Sequence, residues 1–300
     1  MAIYDINNTL FLGKVWQHFD ELPSTNDFLS NSGINTDLSR FNREGVVVTT
    51  FNQTAGRGQM GNRWLAEPNQ NLAYSIRLHP TFLQANEQFH LNKVIALAVH
   101  DLIEKVISNF NSHCAARSNQ ISSESFSNFK PQTSNEPPSN FKFQTSNLKN
   151  SIKWANDIYI NDKKVCGILI QNSLLGSRLQ STIIGIGINI NQTIFPPDLN
   201  ATSLRLETGQ TFDLLPFVEQ LTQCLEHRYL QLKASRDFTR IHEEYLSKMY
   251  RFGADAIFRR AIDDSVFMGK IVGVSAMGQL EIMSNQGIEV FDIKEVKFEI

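Results

Sequence analysis

The sequence is poor in cysteine and has almost no excess of charge of either sign. Its 300 residues include only three cysteines, Cys114, Cys166 and Cys224. An odd number at wide spacing excludes a disulfide framework and matches no zinc motif, so we expect free thiols in a reducing cytoplasm. The formal net charge of −2 offers no basic face for nucleic acid, and we expect no nucleic-acid partner.

Long apolar runs are also absent. No stretch approaches the roughly 20 apolar residues that span a bilayer, and the N-terminal residues lack the basic stretch and apolar core of a signal peptide. We therefore expect a soluble, cytoplasmic protein with no membrane partner. Apolar residues make up 41% of the chain and charged residues 19%, which is typical of a globular protein with one large or two smaller domains.

The first half of the chain contains two predicted strands, a helix and an unusual polar segment. Residues 46–51 and 71–78 are typical of buried strands, and apolar residues at helical spacing predict a helix over 87–107. Ser, Asn, Gln, Thr and Pro dominate residues 111–150, which also contain the near-duplicates SNFKPQTSN and SNFKFQTSN. We expect a flexible inserted loop there; a duplicated binding peptide is the alternative.

The second half predicts strands, then helices, then strands again. Residues 151–160 and 164–172 predict a β-hairpin with a polar turn, and STIIGIGINI at 181–190 predicts a further apolar strand. Amphipathic helices follow between Leu214 and Tyr250. Regularly spaced glycines beyond Phe252 indicate a small all-β barrel.

A polar loop, QTAGRGQMGNRW, occupies Gln53 to Trp64. Its glycines, Gly56, Gly58 and Gly61, allow positive φ and a close approach of the backbone to a ligand. Arg57 and Arg63 add positive charge and Trp64 a flat apolar face, a combination that suits a nucleotide. The alternative is a surface loop with incidental arginines, since a single glycine-rich loop is a weak signal.

Lys153-Trp154-Ala155-Asn156-Asp157 places polar side chains among apolar strands. In a continuous strand, Lys153, Ala155 and Asp157 would share one face. A satisfied hairpin corner would equally explain Asn156 and Asp157 without a ligand. Lys164 begins the returning strand, and its cation would face either Asp157 across the hairpin or a substrate.

Ser24-Thr25-Asn26 precedes a predicted helix. These residue types favour a helix N-cap, and the same hydroxyls and amide can bind a small polar heterocycle.

Four segments together resemble the biotin protein ligase family. In order along the chain they are STN at 24–26, QTAGRGQMGNRW, KWANDIYINDKKVCGIL at 153–169 and GIGINI at 185–190. The sequence departs from the family pattern at Ala155, where proline is common, and at Gln59 and Met60, where arginine is frequent. Those departures leave more of the expected phosphate contact to Arg57 and Arg63.

The resemblance implies an α/β (α+β) fold with a mixed sheet and flanking helices. It resembles the SH2-like catalytic domain of class II synthetases and biotin/lipoate ligases, over residues 1–250 with the insert 111–150. A small SH3-like β-barrel would occupy residues 251–300.

The same resemblance implies a role for each matched residue. Biotin would be bound by Ser24, Thr25, Asn26, Gln53, Arg57, Gly58, Gln59, Lys164 and Gly167, with Gly167-Ile168-Leu169 lining an apolar tunnel. ATP and the adenylate would contact Arg57, Arg63, Trp64, Lys153, Asn156 and Asn189. The catalytic group would be Lys164, Arg57 and Asp157, with Asp157 positioning the acceptor amine or acting as base.

The implied reaction activates biotin with ATP and Mg²⁺ as biotinyl-5′-AMP and transfers it to a lysine of a biotin carboxyl-carrier domain. We expect a monomer or a weak homodimer. Lipoate–protein ligase and a non-catalytic biotin-sensing module are the alternatives. A DNA-binding biotin regulator is not expected, because the 23 residues before Ser24 are too few for a winged-helix domain.

Overall fold

The computed structural model describes residues 2–32, 41–124 and 148–299. The first eight strands are β1 (Ala2–Tyr4), β2 (Trp16–Phe19), β3 (Val47–Thr50), β4 (Asn71–Leu78), β5 (Asn150–Lys153), β6 (Asp157–Ile160), β7 (Lys163–Leu175) and β8 (Arg178–Asn189). The helices are α1 (Thr25–Ser32), α2 (Gln88–Glu124), α3 (Leu204–Thr208), α4 (Leu215–Ser235) and α5 (Phe238–Ser247). Five shorter strands follow: β9 (Asp255–Arg260), β10 (Val266–Val274), β11 (Leu280–Ser284), β12 (Gly287–Phe291) and β13 (Val296–Phe298).

The first eight strands form one mixed sheet in the order β1-β2-β3-β4-β8-β7-β6-β5. Strands β2 and β3 are parallel and the other neighbours antiparallel. Side chains alternate between the two faces of a strand. Ile184, Ile186 and Ile188 of β8 therefore join the large core with α2 and α4, while Ile183 joins a smaller core beneath α1. The predicted mixed sheet with flanking helices is confirmed.

Helix α2 is longer than the sequence predicts. The expected helix over 87–107 continues to Glu124, so the first part of the predicted insert 111–150 is helical and the loop prediction is wrong there. The apolar periodicity ends near Ile107, but no proline or glycine occurs between residues 108 and 124, and polar residues lower helix propensity without breaking a helix. The near-duplicated peptides, at 127–135 and 139–147, lie outside the described residues.

The segment predicted as one strand over 151–160 is two strands. A turn at 154–156 separates β5 from β6, which pair antiparallel with Lys153 opposite Asp157. The prediction of one continuous strand through Lys153, Ala155 and Asp157 is therefore wrong, because the chain reverses between them. Lys153 and Asp157 still share a face, since residues directly opposite in an antiparallel pair point the same way. The hairpin of β6 and β7, with its turn at 161–162, is confirmed.

Strands β9 to β13 form a separate antiparallel sheet in the order β12-β11-β10-β9-β13, as expected for a small all-β unit. It packs on the body of the protein, since Trp154 Nε1 donates to the carbonyl oxygen of Gly278 at 3.0 Å and Phe258 belongs to the large core. The change of architecture lies between the end of α5 at Ser247 and Asp255. A domain boundary at residue 250 stays a prediction.

Two of the predicted free thiols are confirmed. Cys166 and Cys224 are buried and unbridged, and burial raises the pKa of both thiols. The side chain of Cys114 lies outside the described residues. Among the helices that the structure describes, none has the length and apolarity needed to cross a membrane.

A group of basic side chains, of which Lys93 is buried and His90 and His242 are half-buried, lies between α2 and α5. The His90 ring stacks on Phe238 with 4.0 Å between centroids, and Lys93 Nζ lies 2.9 Å from His242 Nδ1. Burial lowers the pKa of His90 to about 4 and that of Lys93 to about 8, and burial together with the charge of Lys93 lowers the pKa of His242. The folded protein therefore holds these imidazoles neutral.

The lowered pKa values of these histidines predict a loss of stability in acid. An unfolded histidine takes up a proton near its ordinary pKa of 6.5, so below that pH the unfolded chain binds more protons than the folded one. We expect the free energy of unfolding to fall by at least about 2 kcal/mol between about pH 7.5 and about pH 4.5, measured by urea denaturation. His90→Phe should flatten this dependence, and the exposed His227→Gln should not; equal slopes in all three proteins would contradict the prediction.

Candidate active site

The face of the sheet opposite α2 and α4 carries small residues where β4, β7 and β8 meet. Ala73, Gly167, Gly185 and Gly187 lie there, and β4 and β8 pair Ala73 with Gly187. Glycine adds no side chain above the backbone, so other groups can lie directly on the strands. The apolar strands predicted from the sequence thus form a core on one face and the floor of a cavity on the other.

The cavity above this floor has a volume of about 150 Å³. All the sequence-predicted site residues line it except Lys153, Asn156 and Asn189. The lining residues are Ser24, Thr25, Asn26, Gln53, Arg57, Gly58, Gln59, Asn62, Arg63, Trp64, Ala73, Tyr74, Asp157, Lys164, Gly167, Ile168, Leu169, Gly185, Ile186 and Gly187.

The polar end of the cavity is built around α1. Ser24 caps the helix, its Oγ accepting from the Asp27 N–H at 3.2 Å, which confirms the predicted N-cap. Gln53 Oε1 accepts from both the backbone N–H and the hydroxyl of Thr25 at 3.0 and 3.2 Å. Thr25 and Asn26 are buried, so their positions are fixed before any ligand binds.

Ser75 completes this end and was not predicted from the sequence. Its Oγ lies 2.7 Å from Thr25 Oγ1 and donates to Asn26 Oδ1 at 2.5 Å. Gly185 makes room for the Asn26 amide, because a Cβ there would overlap Asn26 Oδ1. The available signal was a single hydroxyl between the apolar residues Tyr74 and Ile76 of β4.

The loop Gln53–Trp64 folds back on itself over the cavity. Gly58 N–H donates to the Asn62 carbonyl at 2.7 Å and Trp64 N–H to the Gly56 carbonyl at 3.0 Å. The glycines have distinct roles. Gly61 has a positive φ of 84°, whereas a Cβ on Gly56 would lie 2.6 Å from the Trp64 carbonyl oxygen.

Two side chains of this loop reach other elements. Arg57 Nη1 pairs with Asp27 Oδ1 of α1 at 2.6 Å, an exposed pair in which the Arg57 side chain is 58% accessible. Such a pair contributes little energy, so Arg57 can turn toward a ligand. Gln59 Nε2 donates to Asn156 Oδ1 at 2.9 Å and to the Ile168 carbonyl at 3.3 Å. The loop therefore contacts both walls of the cavity.

Trp64 lies on the glycine floor. A Cβ at Gly187 would overlap the indole ring, and one at Gly167 would lie 2.9 Å from Trp64 Cζ3. Trp64 Nε1 is buried and has no hydrogen-bond partner among the residues described. The ring thus presents an unused donor and an aromatic surface inside the cavity.

Lys164 and Asp157 form an ion pair in the cavity wall, with Nζ 2.7 Å from Oδ2. The pairing of β6 with β7 runs from Ile158–Cys166 to Tyr159–Lys164, so Val165 is an extra residue in β7. Strict alternation would direct Lys164 to the same face as Cys166, into the core. The bulge turns it to the cavity face instead, where its Nζ lies 5.9 Å from the Trp64 ring centroid.

The three predicted site residues outside the cavity lining have other partners. Lys153 Nζ donates to the Tyr159 hydroxyl at 3.1 Å and lies 5.0 Å from the Phe298 ring centroid, toward the C-terminal unit. Asn156 bridges Gln59 and Asn92. Asn189 is buried at the end of β8, and its Oδ1 has no partner within the described parts of the chain.

The described side chains do not form a cluster of metal ligands. Over residues 2–32, 41–124 and 148–299, no three histidine, cysteine or carboxylate side chains lie together as metal ligands. The only carboxylate lining the cavity, among those residues, is that of Asp157.

Comparison with known proteins agrees with this geometry. Residues 19–189 match the Biotin/lipoate A/B protein ligase family. The Bifunctional ligase/repressor BirA of Bacillus subtilis (strain 168) is 30% identical over 251 residues, which cover 82% of this chain and 64% of that protein. The Biotin--[acetyl-CoA-carboxylase] ligase of Paracoccus denitrificans is 27% identical over 259 residues, covering 84% and 89% of the two chains.

A solved structure has the same fold. The biotin protein ligase from Aquifex aeolicus in complex with biotin and ATP superposes with a TM-score of 0.65 at 23% identity, covering 95% of this chain and 98% of that one. The family match spans every segment that lines the cavity, from the α1 motif to β8. This chain belongs to the Biotin/lipoate A/B protein ligase family.

Proposed function

We propose that this protein is an ATP-dependent biotin–protein ligase. It activates biotin as biotinyl-5′-AMP and transfers it to a lysine of a biotin carboxyl-carrier domain, of acetyl-CoA carboxylase or a related carboxylase. It acts in the cytoplasm as a monomer or weak homodimer. The relatives support this by name, as a biotin–[acetyl-CoA-carboxylase] ligase and as a ligase/repressor.

The observation that carries the proposal is that one cavity joins a neutral polar end to a cationic wall. At the polar end the carbonyl oxygens of Asn26 and Gln53 accept internal hydrogen bonds. Each amide has two N–H donors, and each can spare at least one for a ligand carbonyl such as that of a ureido ring. Lys164 lies across the glycine floor, where a carboxylate on the ligand's side chain would meet its cation.

In the first step the biotin carboxylate attacks the α-phosphate of ATP. A bond forms between the carboxylate oxygen and phosphorus, and the bond to pyrophosphate breaks. Lys164, Arg57 and Arg63 supply positive charge where negative charge accumulates. Mg²⁺ would enter with the nucleotide as part of the substrate and would offset phosphate charge.

The nucleotide base is proposed to lie beside Trp64 and Asn189. The indole on the glycine floor offers an aromatic surface for stacking. A buried acceptor without a partner, Asn189 Oδ1, costs free energy unless a ligand donates to it. The exocyclic amine of adenine is a donor of that kind.

In the second step the acceptor lysine attacks the mixed anhydride and AMP leaves. The attacking amine must lose its proton, and Asp157 is the carboxylate placed to accept it or to orient the amine. Water must be excluded, or the anhydride hydrolyses. The loop Gln53–Trp64 covers the cavity and can serve this purpose.

The direct test is transfer of radiolabelled biotin to a purified carboxyl-carrier domain. We expect labelling that requires ATP, releases AMP and pyrophosphate, and is lost when the acceptor lysine is replaced by arginine. Labelled lipoate should not substitute, since its apolar ring cannot use the donors of Asn26 and Gln53. ATP-dependent transfer of lipoate but not biotin would overturn the proposal, as would absence of both.

Asp157→Asn should separate the two steps. We expect adenylate formation, followed as biotin-dependent pyrophosphate release, to change by only a few-fold. Transfer from the adenylate to the carrier domain should fall about 100-fold or more, because the acceptor amine loses its base or anchor. Asp162→Asn, in the turn outside the cavity, is the control. Unchanged transfer at saturating ligands would remove Asp157 from the mechanism.

A further inference from the structure

Three side-chain amides connect the glycine loop to helix α2. Gln59 Nε2 donates to Asn156 Oδ1 at 2.9 Å, and Asn156 Nδ2 donates to Asn92 Oδ1 at 2.9 Å. Gln59 Nε2 also lies 3.3 Å from the Ile168 carbonyl oxygen. Asn156 is only 3% exposed, so water has little access to replace its partners.

The direction of this amide chain is fixed by the backbone. A carbonyl oxygen can only accept, so Gln59 must present its NH₂ group to Ile168. The same NH₂ group then faces Asn156 Oδ1, which leaves Asn156 Nδ2 to donate to Asn92. An acceptor is therefore required at residue 92; a flipped amide at any step would oppose two donors or two acceptors.

Asn92 belongs to a rigid element, whereas the loop does not. Its neighbours Leu91, Val94 and Ile95 are fully buried in the large core. In the loop, by contrast, most residues from Gln53 to Arg63 are exposed or half-buried. A segment with few buried apolar contacts depends on its hydrogen bonds for its position.

We propose that Asn92 is a positioning residue that holds the glycine loop over the cavity through Asn156 and Gln59. The proposal rests on the proposed function in one respect: the held loop retains the adenylate between its formation and its transfer. The position of the loop itself is independent of that function. Asn92 is not among the residues that line the cavity, and its hydrogen bond to Asn156 is the contact through which it acts on the loop.

The primary test is the rate at which trypsin cleaves the ligand-free protein after Arg57 and Arg63. Asn92→Ala removes the acceptor and should raise this rate about 5- to 10-fold, the effect of losing one hydrogen bond. Asn92→Asp keeps an acceptor oxygen and should restore the wild-type rate. Asn86→Ala, an exposed asparagine just before α2, is the matched control, and thermal unfolding of each variant shows whether the fold is retained.

A second variant interrupts the hydrogen-bonded amides from the loop side. Gln59→Glu cannot donate to Asn156 or Ile168, and it should accelerate cleavage as Asn92→Ala does without lowering the melting temperature. The double variant should be no more sensitive than Gln59→Glu alone, since Asn92 acts on the loop through the bond that Gln59→Glu already removes. Full additivity of the two effects would overturn the proposal.

Retention of the adenylate is measured by preloading the enzyme and following escape of biotinyl-5′-AMP without an acceptor. Escape should be about 5- to 10-fold faster in Asn92→Ala and unchanged in Asn92→Asp. Unchanged trypsin cleavage in Asn92→Ala, or equal acceleration in Asn92→Asp, would overturn the positioning role. If the wild-type protein made no adenylate, the proposed function would fail while the cleavage assay still decided the role of Asn92.

Discussion

Replacing Lys164 with alanine is expected to reduce biotin-dependent adenylate formation about 100- to 1000-fold, the usual effect of removing a group that stabilises developing charge. Lys164 is one of the cationic residues that line the cavity, and its Nζ lies 2.7 Å from Asp157 Oδ2. Its side chain is 27% exposed and that of Asp157 31%, so breaking the pair should change the free energy of unfolding by at most about 1 kcal/mol. The loss should therefore appear in the chemistry and not in the fold.

The neighbouring lysine provides the control for this experiment. Lys163 is exposed at the start of β7 and does not line the cavity, so Lys163→Ala should retain wild-type activity. Pyrophosphate release and thermal unfolding are measured on both variants. Normal adenylate formation in Lys164→Ala would remove this residue from the mechanism.

A matched pair of glycine substitutions is expected to separate biotin binding from nucleotide binding. A methyl group at Gly185 would overlap the Asn26 amide, and one at Gly187 would overlap the Trp64 indole. In each case the nearest atoms belong to a side chain and not to the backbone, so the sheet should survive while the ligand contact is displaced. Gly185→Ala should weaken the binding of biotin, and Gly187→Ala should weaken the binding of ATP, each by about 10- to 100-fold.

Isothermal titration with each ligand checks this pair, and each variant is the control for the other. The ligand not affected should bind within a few-fold of wild type. An equal loss of affinity for both ligands in both variants would contradict the prediction, since it would mean that the glycines support the sheet as a whole. If Gly185→Ala lost the binding of ATP alone, the polar end of the cavity would have been assigned to the wrong ligand.

Local patterns in the sequence were sufficient where the structure depends on neighbouring residues. The apolar runs at 71–78 and 181–190 predict β4 and most of β8, because burial on a sheet selects apolar residues directly. Ser24 caps α1 as its residue type indicates. The end of α2 was not predictable in this way, since a polar stretch without proline permits either a helix or a loop, and the apolar spacing of residues 87–107 carries no information beyond its own end.

The four motifs were recognised from their order, and their meeting in one cavity was an expectation that the fold then showed. Pairing across the sheet brings Ser75 to Thr25 and Asn26, although the serine is an ordinary strand residue when only its neighbours are considered. The placement of Lys153 also depends on contacts between segments that the sequence alone does not reveal. Its motif suggested the nucleotide site, and packing against Tyr159 and Phe298 carries it toward the C-terminal unit.

By itself, the sequence determined the strands of the core, the glycine loop, the N-cap and the family to which they belong, since each is written in residue types at fixed spacing. Only the tertiary structure decided how the functional groups are aimed. The extra residue in β7 turns Lys164 from the core to the cavity, and the Ile168 carbonyl fixes the direction of the amides from Gln59 to Asn92. The bulge depends on how β6 pairs with β7, and the amides join three segments that are distant in the sequence. Neither is written in residue types at fixed spacing, because register is set by the packing of the whole sheet.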